Sequence, residues 1–503
     1  MIKLYSKDVI SIYDRVKRDA LKFFMSEKYI TSLHSVKVVS QLGYFINHIF
    51  TDLELENLLE QISLRLLKKD NRKTTQKKIV LIDSFTLPNR GLTQQYLRAL
   101  ISMNIEFLFI AEGYNDSSKS IFEEIEQSEF GNLYLVPDGG IKEKITYIYD
   151  HIFEFSPSDI LAHIYPNSVE VIIALYAFPD VNKFNINLTD HAFWIGSKCF
   201  DYTLEFRNYG CSLSLHRRGF KKEQIILNPY YPIIANSHFR GLPNVYQNKT
   251  VILTGGSYYK MLNKENTFFT LLKNIVENNQ DVIVLIAGSG SFSEQKYITN
   301  FIYKNNLEDS LILLGDRSDI DKVFEFCDIY VGTYPFGGGL MTQYAATKGK
   351  PIVSLIKSEN RNSLEELVFG ASQPTVQISF FDEKLLMKEI TKLIIDVNYR
   401  REQGDKLKEN MTTAQIFNAR FSDIINLKKK IPINFQNVDI MEEHLFSLET
   451  INVSNDLFGF FLYKYFKIHL FYISPKIAIK YFPPVMRLIF YKVKQILISE
   501  LKH

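Results

Sequence analysis

The sequence predicts two doubly wound α/β domains facing each other, with a helical segment before them and a basic, aromatic helical tail after them. Three observations predict it. Short apolar runs alternate with amphipathic stretches from Ile79 to Phe206, the same grammar restarts at Val251, and a stretch carrying Gly241, Pro243 and Asn248 separates the two. The length of 503 residues is too great for one ordinary core.

Composition narrows the class. Hydrophobic residues make up 46% of the chain, which excludes a mainly disordered protein. The formal net charge of +3 supplies no global basic field, so nucleic acid is not an expected partner. The three cysteines, Cys199, Cys211 and Cys327, form no CxxC pair, which argues against a zinc or thioredoxin-type site and for a reducing cytoplasm. The N-terminus lacks the apolar core of a signal peptide, and Lys or Pro interrupts every long apolar run.

Residues 8–67 read as helices. Val9, Ile12 and Val16, then Leu42, Phe45, Ile46 and Ile49, then Leu55, Leu58, Leu59, Ile62 and Leu66 recur at helical spacing. The polar, basic run from Lys68 to Lys78 reads as a linker, giving a helical segment over 1–75. A first domain over 76–240 then carries strands at Ile79–Ile82, Ile105–Ile110, Leu133–Val136, Ile160–Ile164, Phe184–Leu188 and Tyr202–Phe206, with a helix at 92–101. A second over 248–430 carries strands at Val251–Thr254, Val282–Ala287, Leu311–Leu314, Ile329–Val331 and Ile352–Leu355. Its helices are expected at 265–278, 293–304, 319–326 and 340–348. Two such Rossmann-like halves leave a cleft at their strand ends.

Two loops in the second domain have the chemistry of phosphate sites. Gly255, Gly256, Ser257 and Lys260 directly follow a strand: glycines admit a ligand to the backbone, Ser257 can donate, and Lys260 brings a full charge. Taken alone, an ordinary turn with a surface lysine accounts for them as well. Phe336, Gly337, Gly338 and Gly339 precede a helix containing Thr342 and Gln343. Three glycines at a helix N-terminus leave free N–H donors and the positive dipole end open to an anion. Neither loop continues as Gly-Lys-Ser/Thr, so neither is a Walker loop, and Gly288-Ser289-Gly290 reads as a turn.

The run Cys327 to Gly339, followed by Ala345-Ala346-Thr347-Lys348-Gly349-Lys350-Pro351-Ile352-Val353, resembles the donor-binding half of GT-B glycosyltransferases. Leu313-Leu314-Gly315-Asp316-Arg317 is similar to that superfamily's loop beside the nucleotide base. Tyr-Pro-Phe-Gly-Gly-Gly and Ser-Tyr-Tyr-Lys look closest to the O-GlcNAc transferase and bacterial protein N-glucosyltransferase group. The resemblance covers Val251 to Leu355 and implies a UDP diphosphate held by Lys260 and residues 337–342. It implies no cofactor beyond the nucleotide sugar as co-substrate, and a glycan, lipid-linked or protein acceptor. One position departs: where many GT-B enzymes set a ribose-binding carboxylate, this chain has Tyr344. With no Asp-x-Asp at a strand end, metal-independent departure of the diphosphate is expected.

In the first domain, Asp190 and His191 follow a strand near Trp194. The pair reads either as a base or phosphate donor in the cleft or as a packed histidine with a helix cap. Gly91, after Arg90, and His163 are further cleft candidates, while His216-Arg217-Arg218 reads as surface charge. The departure at Tyr344 keeps a silent accessory subunit open, with 8–67 docking a partner, and a sugar-nucleotide epimerase or hydrolase using Asp190 and His191 is the third class. The tail over 431–503 is rich in Phe and Lys from 457 onward. It suits either the anionic inner face of a membrane, bound peripherally, or helices that cross back onto the catalytic domains.

Overall fold

The computed structural model describes residues 2–438 apart from 45, 47–48, 73, 75, 89–90, 115, 235–236, 244–247, 264 and 357–363, and beyond 438 only Pro475, Ile479 and Phe482. Two all-parallel sheets organise it. The first contains β1 (Lys78–Asp83), β2 (Glu106–Ala111), β3 (Gly131–Leu135), β4 (Asp159–His163), β5 (Asn182–Ile186), β6 (Tyr202–Glu205) and β7 (Ile225–Leu227), in the order β3-β2-β1-β4-β5-β6-β7. The second contains β8 (Thr250–Gly255), β9 (Val282–Ala287), β10 (Leu311–Gly315), β11 (Ile329–Gly332), β12 (Ile352–Leu355) and β13 (Ser379–Phe380), in the order β10-β9-β8-β11-β12-β13.

The apolar runs explain why both faces of each sheet are covered. Successive strand residues point to opposite faces. Val80 and Ile82 therefore join one core, and Ile79 and Leu81 the other. In the second sheet Ile252 faces one core while Val251 and Leu253 face its opposite. A run with no polar alternation is what a strand between two helical layers requires.

Three helices, Ile2–Met25, Tyr29–Gly43 and Leu53–Leu66, occupy the expected N-terminal region. They are not a separate body: Val16, Leu33, Val36, Leu58 and Ile62 are buried in the same core as Val80 and Ile160. A partner-docking role for 8–67 would have to use the other face of these helices.

The second domain ends earlier than 430. The helix Ala414–Leu427 crosses back onto the first sheet, where Phe417 and Phe421 each meet the Tyr96 ring edge-on at 5.1 Å. Residues 431–438 continue on that domain: Asn434 N donates to Asn208 Oδ1 at 3.0 Å and Gln436 N to Ser212 Oγ at 2.9 Å. The aromatic side chains of 414–427 give an amphipathic helix, and amphipathicity alone does not say which sheet it covers. The basic aromatic stretch 457–503 lies outside the described residues except for three positions. Among the described residues no helix is long and apolar enough to cross a membrane, and all three cysteines are buried and free.

Candidate functional site

At the C-terminal end of the second sheet three loops are stitched in a row. Gly256 N donates to Ala287 O at 2.9 Å, Tyr258 N to Ser289 O at 2.9 Å, and Gly288 N to Gly315 O at 2.8 Å. Gly288 has φ +146°, and a Cβ there would overlap the Gly256 carbonyl oxygen, so Gly288 is the price of bringing these loops together. Gly315, with φ +69°, closes β10, and Asp316 beside it is exposed. Arg317 is spent on structure: it grips Asp319 with two bonds of 2.7 Å and donates to Gly241 O at 2.9 Å.

The two phosphate-type loops meet. A Cβ on Gly255 would lie 3.1 Å from Met341 Cε, and one on Gly338 would lie 3.7 Å from Gly255 O. Phe336 N donates to Lys260 O at 3.3 Å, fastening one loop to the other. Gly337 and Gly339 press on Leu364 and Leu367, each 3.1 Å from where a Cβ would stand. The helix Gly339–Thr347 begins at Gly338 with no side-chain cap, so its first N–H groups are left for a ligand.

Lys260 stands beside them. It lies in the short 3₁₀ turn Tyr258–Met261, and its Cδ is 3.8 Å from the Cβ position of Gly256. Burial pushes its ammonium down from the ordinary lysine value, and among the described residues no carboxylate pairs with it. Ser257 next to it is exposed. Three hydroxyls around the loops, Thr254 Oγ1, Tyr330 OH and Thr342 Oγ1, are buried without a partner among the described residues, and Tyr330 OH is 3.4 Å from the Gly338 Cβ position.

Gln343 and Tyr344 point elsewhere. Gln343 Nε2 donates to Tyr230 O at 3.3 Å and Leu367 O at 3.1 Å, and Tyr344 OH donates to Ile233 O at 2.7 Å. Both side chains tie the second domain to residues 230–233 at the end of the first, so Gln343 is a strut and not a phosphate contact.

In the first domain, the His191 side chain is partly exposed and Asp190 is buried. Asp190 is buried and receives Arg207 Nε at 2.6 Å and Nη2 at 2.9 Å. Burial alone would raise its carboxyl; the guanidinium outweighs this and holds it well below the usual carboxylate range. The His191 side chain, 27% exposed, has Nδ1 3.4 Å from Asp190 Oδ1 and Nε2 3.5 Å from Tyr44 OH. Burial pushes the Tyr44 phenol up, and Tyr259 of the second domain adds to the shift. Arg218, read as surface charge, is buried instead and donates through Nη2 to the carbonyls of Thr189, Asp190 and Ala192 at 3.3, 2.7 and 2.9 Å.

His163 is better placed than its sequence context suggests. β1 and β4 are in register at Asp83 and His163. Asp83 Oδ1 accepts from Phe85 N at 2.8 Å and Thr86 N at 2.6 Å, and Oδ2 accepts from Thr93 Oγ1 at 2.7 Å. His163 Nδ1 lies 2.7 Å from the same Oδ2 and donates to it, and the buried Nε2 has no partner. The Cβ position of Gly91, whose φ is +67°, is 3.9 Å from Nε2. The preceding Arg90 lies outside the described residues.

No family model matches the chain, and no curated protein matches it in sequence. Solved structures do match in fold. HepE from Anabaena, solved with UDP, superposes with a TM-score of 0.51 at 13% identity, over 70% of this chain and 100% of its own. A glycosyltransferase from Rickettsia africae gives 0.52 at 10% identity, again over 70% and 100%. This chain has the GT-B fold. TarM from S. aureus, solved with fondaparinux, α-GlcNAc-glycerol and UDP, gives 0.51 at 10% identity over the same shares.

Proposed function

We propose that the protein is a glycosyltransferase that moves a sugar from a nucleoside diphosphate sugar, with UDP as the nucleotide, to a glycan, lipid-linked or protein acceptor. The observation that carries this reading is Lys260: a half-buried ammonium without a carboxylate partner among the described residues, beside two glycine loops and an uncapped helix N-terminus. An ammonium taken out of water without a counter-charge is unfavourable unless an anion completes the site. A diphosphate supplies it. The bond from the anomeric carbon to the diphosphate oxygen breaks, and Lys260 with the first-turn N–H groups stabilises the charge that develops there. Because the protein supplies that positive charge, transfer proceeds without a metal ion and persists in EDTA.

His163 accepts the proton of the acceptor hydroxyl, with Asp83 holding its tautomer so that Nε2 is the basic nitrogen. His191, beside Tyr44, contacts the departing phosphate. Calorimetry against a nucleotide panel tests the reading: UDP binding is expected, and a chain that binds no nucleoside diphosphate or its sugar is not this enzyme. Incubating the donor without an acceptor separates the alternatives. Rapid release of free sugar or an epimer indicates a hydrolase or epimerase, and binding with no chemistry even with acceptors indicates an accessory subunit.

The reading extends to location. A cytoplasmic enzyme drawn to an anionic inner membrane face by the lysines and phenylalanines of 457–503 would sediment with anionic vesicles at low salt and be released by high salt.

A further inference from the structure

We propose that Glu366 is a positioning residue for the transfer step: it reaches out of the second domain to cap a helix of the first, and through Arg207 at the start of that helix it sets the orientation of His191. The inference rests on the transferase reading, in which His191 meets the departing phosphate.

Glu366 lies on the short helix Glu365–Phe369, which backs the glycine loop. Leu364 just before it and Leu367 within it are the side chains against Gly337 and Gly339. Two adjacent glutamates on this helix serve different domains. Glu365 is tied to its own sheet: Oε1 accepts from Ile378 N at 2.9 Å and Ser379 N at 2.7 Å, and Oε2 from Ser379 Oγ at 2.8 Å. Glu366 is buried against the first domain, where its Oε2 accepts from Tyr209 N at 3.0 Å and its Oε1 from Gln436 Nε2 at 3.3 Å.

Tyr209 N belongs to the first turn of the helix Asn208–Arg217, whose N–H groups have no acceptor within the helix. A Ser, Thr, Asp or Asn just before the helix ordinarily receives such a group. Here that position is Arg207, whose side chain makes no cap. The carboxylate of Glu366 stands in, at the end of the helix where the dipole favours an anion. A local cap would hold in any arrangement of the domains. This one holds only while the second domain is in place.

The same helix start leads to His191. The Arg207 guanidinium lies 4.9 Å from the Tyr209 ring and grips Asp190 through Nε and Nη2, and Asp190 Oδ1 is 3.4 Å from His191 Nδ1. Burial pushes the Glu366 carboxyl up, and the Tyr209 N–H and the Arg207 guanidinium pull against it, so Glu366 and the arginine that holds Asp190 act on each other. Coupling between separate elements needs contiguous contacts, and these run from Leu367 through Glu366, Tyr209, Arg207 and Asp190 to His191. Without Glu366 the first helical turn loses its cap, and Arg207 loses its fixed starting point. A displacement on the order of 1 Å in a group that acts on the leaving phosphate is enough to slow transfer.

The test is NMR on the full chain with ¹³C-labelled histidine, with and without UDP. The variants His191→Ala and His163→Ala identify the two ring signals. Glu366→Ala is expected to displace the His191 signal by more than its linewidth and to leave that of His163 in place. Glu366→Gln keeps an acceptor for Tyr209 N and should restore the wild-type position. Should Glu366→Ala fail to fold, Glu366→Asp keeps the charge but withdraws it by one methylene, and a displaced His191 signal is again expected. An unmoved His191 signal, an equal movement of His163, or a Glu366→Gln signal displaced as far as the alanine variant's overturns the positioning role. Absent UDP binding to the wild-type chain overturns the transferase reading instead, so the two fail separately.

Discussion

Asp83 and His163 face each other across adjacent parallel strands, with Oδ2 and Nδ1 2.7 Å apart. Asp83 has four donors on two oxygens, so the histidine is held in one orientation and one tautomer. Asp83→Asn replaces one acceptor oxygen by an NH₂ group and releases that tautomer. The expected result is a fall in kcat of about a hundredfold with UDP affinity unchanged. A kcat equal to wild type would assign the pair to folding alone.

Lys260→Ala removes the charge beside the glycine loops. A loss of about a hundredfold in kcat is expected, together with weaker UDP binding. The lowered ammonium value sets a pH dependence. Lys260 binds an anion only when protonated, so UDP affinity should fall as pH rises into the alkaline range, beginning below the ordinary lysine value. Lys260→Met should abolish this dependence, as calorimetry across pH would show.

Two glycines separate folding from binding. At Gly338 a Cβ meets Tyr330 OH at 3.4 Å, an ordinary contact, while facing Gly255 O at 3.7 Å across the cradle. Gly338→Val should cost UDP affinity about tenfold or more with little change in Tm. Gly288→Ala places a side chain on the Gly256 carbonyl at φ +146° and should destabilise the domain by about 2 kcal/mol or more. Thermal melts and titrations on both variants check the contrast.

Asp190→Ala removes the carboxylate that receives both hydrogen bonds from the buried Arg207 guanidinium. The expected destabilisation is about 3–5 kcal/mol, readable by urea unfolding. Asp190→Asn, which keeps one acceptor, should lose less.

Glu56 links stability to pH. It is fully buried, and burial pushes its carboxyl up to about 7 against the N–H donors of Gly196 and Lys198. A raised carboxyl favours the folded state below the ordinary glutamate value, and that contribution is lost as pH rises through about 7. Stability should therefore decline between about pH 5 and pH 7.5, and Glu56→Gln should flatten the decline.

What the sequence showed follows from what kind of signal each feature leaves. Continuous apolar runs made β8, β9, β11 and β12 legible, because burial on both faces leaves few polar residues. β7 and β13, with three and two residues, are edge strands too short to carry a pattern. The glycine loops were legible because both motifs lie within a few residues of a strand end. Asp83 and His163 are 80 positions apart, and only the register of β1 against β4 pairs them. Arg207 and Arg218 gave no sign of burial, since a basic residue reads as solvated until its partner is known. Tyr344 was legible as a departure but not as an anchor to the first domain, because its acceptor is a backbone carbonyl.

The return of the helix Ala414–Leu427 has a mechanical consequence. The chain passes between the domains twice, once after β7 and again before residue 414, and Arg420 Nη1 donates to Pro229 O at 3.2 Å where the two passages run together. A body tethered at one point can swivel in any direction, whereas one tethered along a short line turns about that line. Two passages of chain along one short line would favour rotation of the domains about that line over twisting across it.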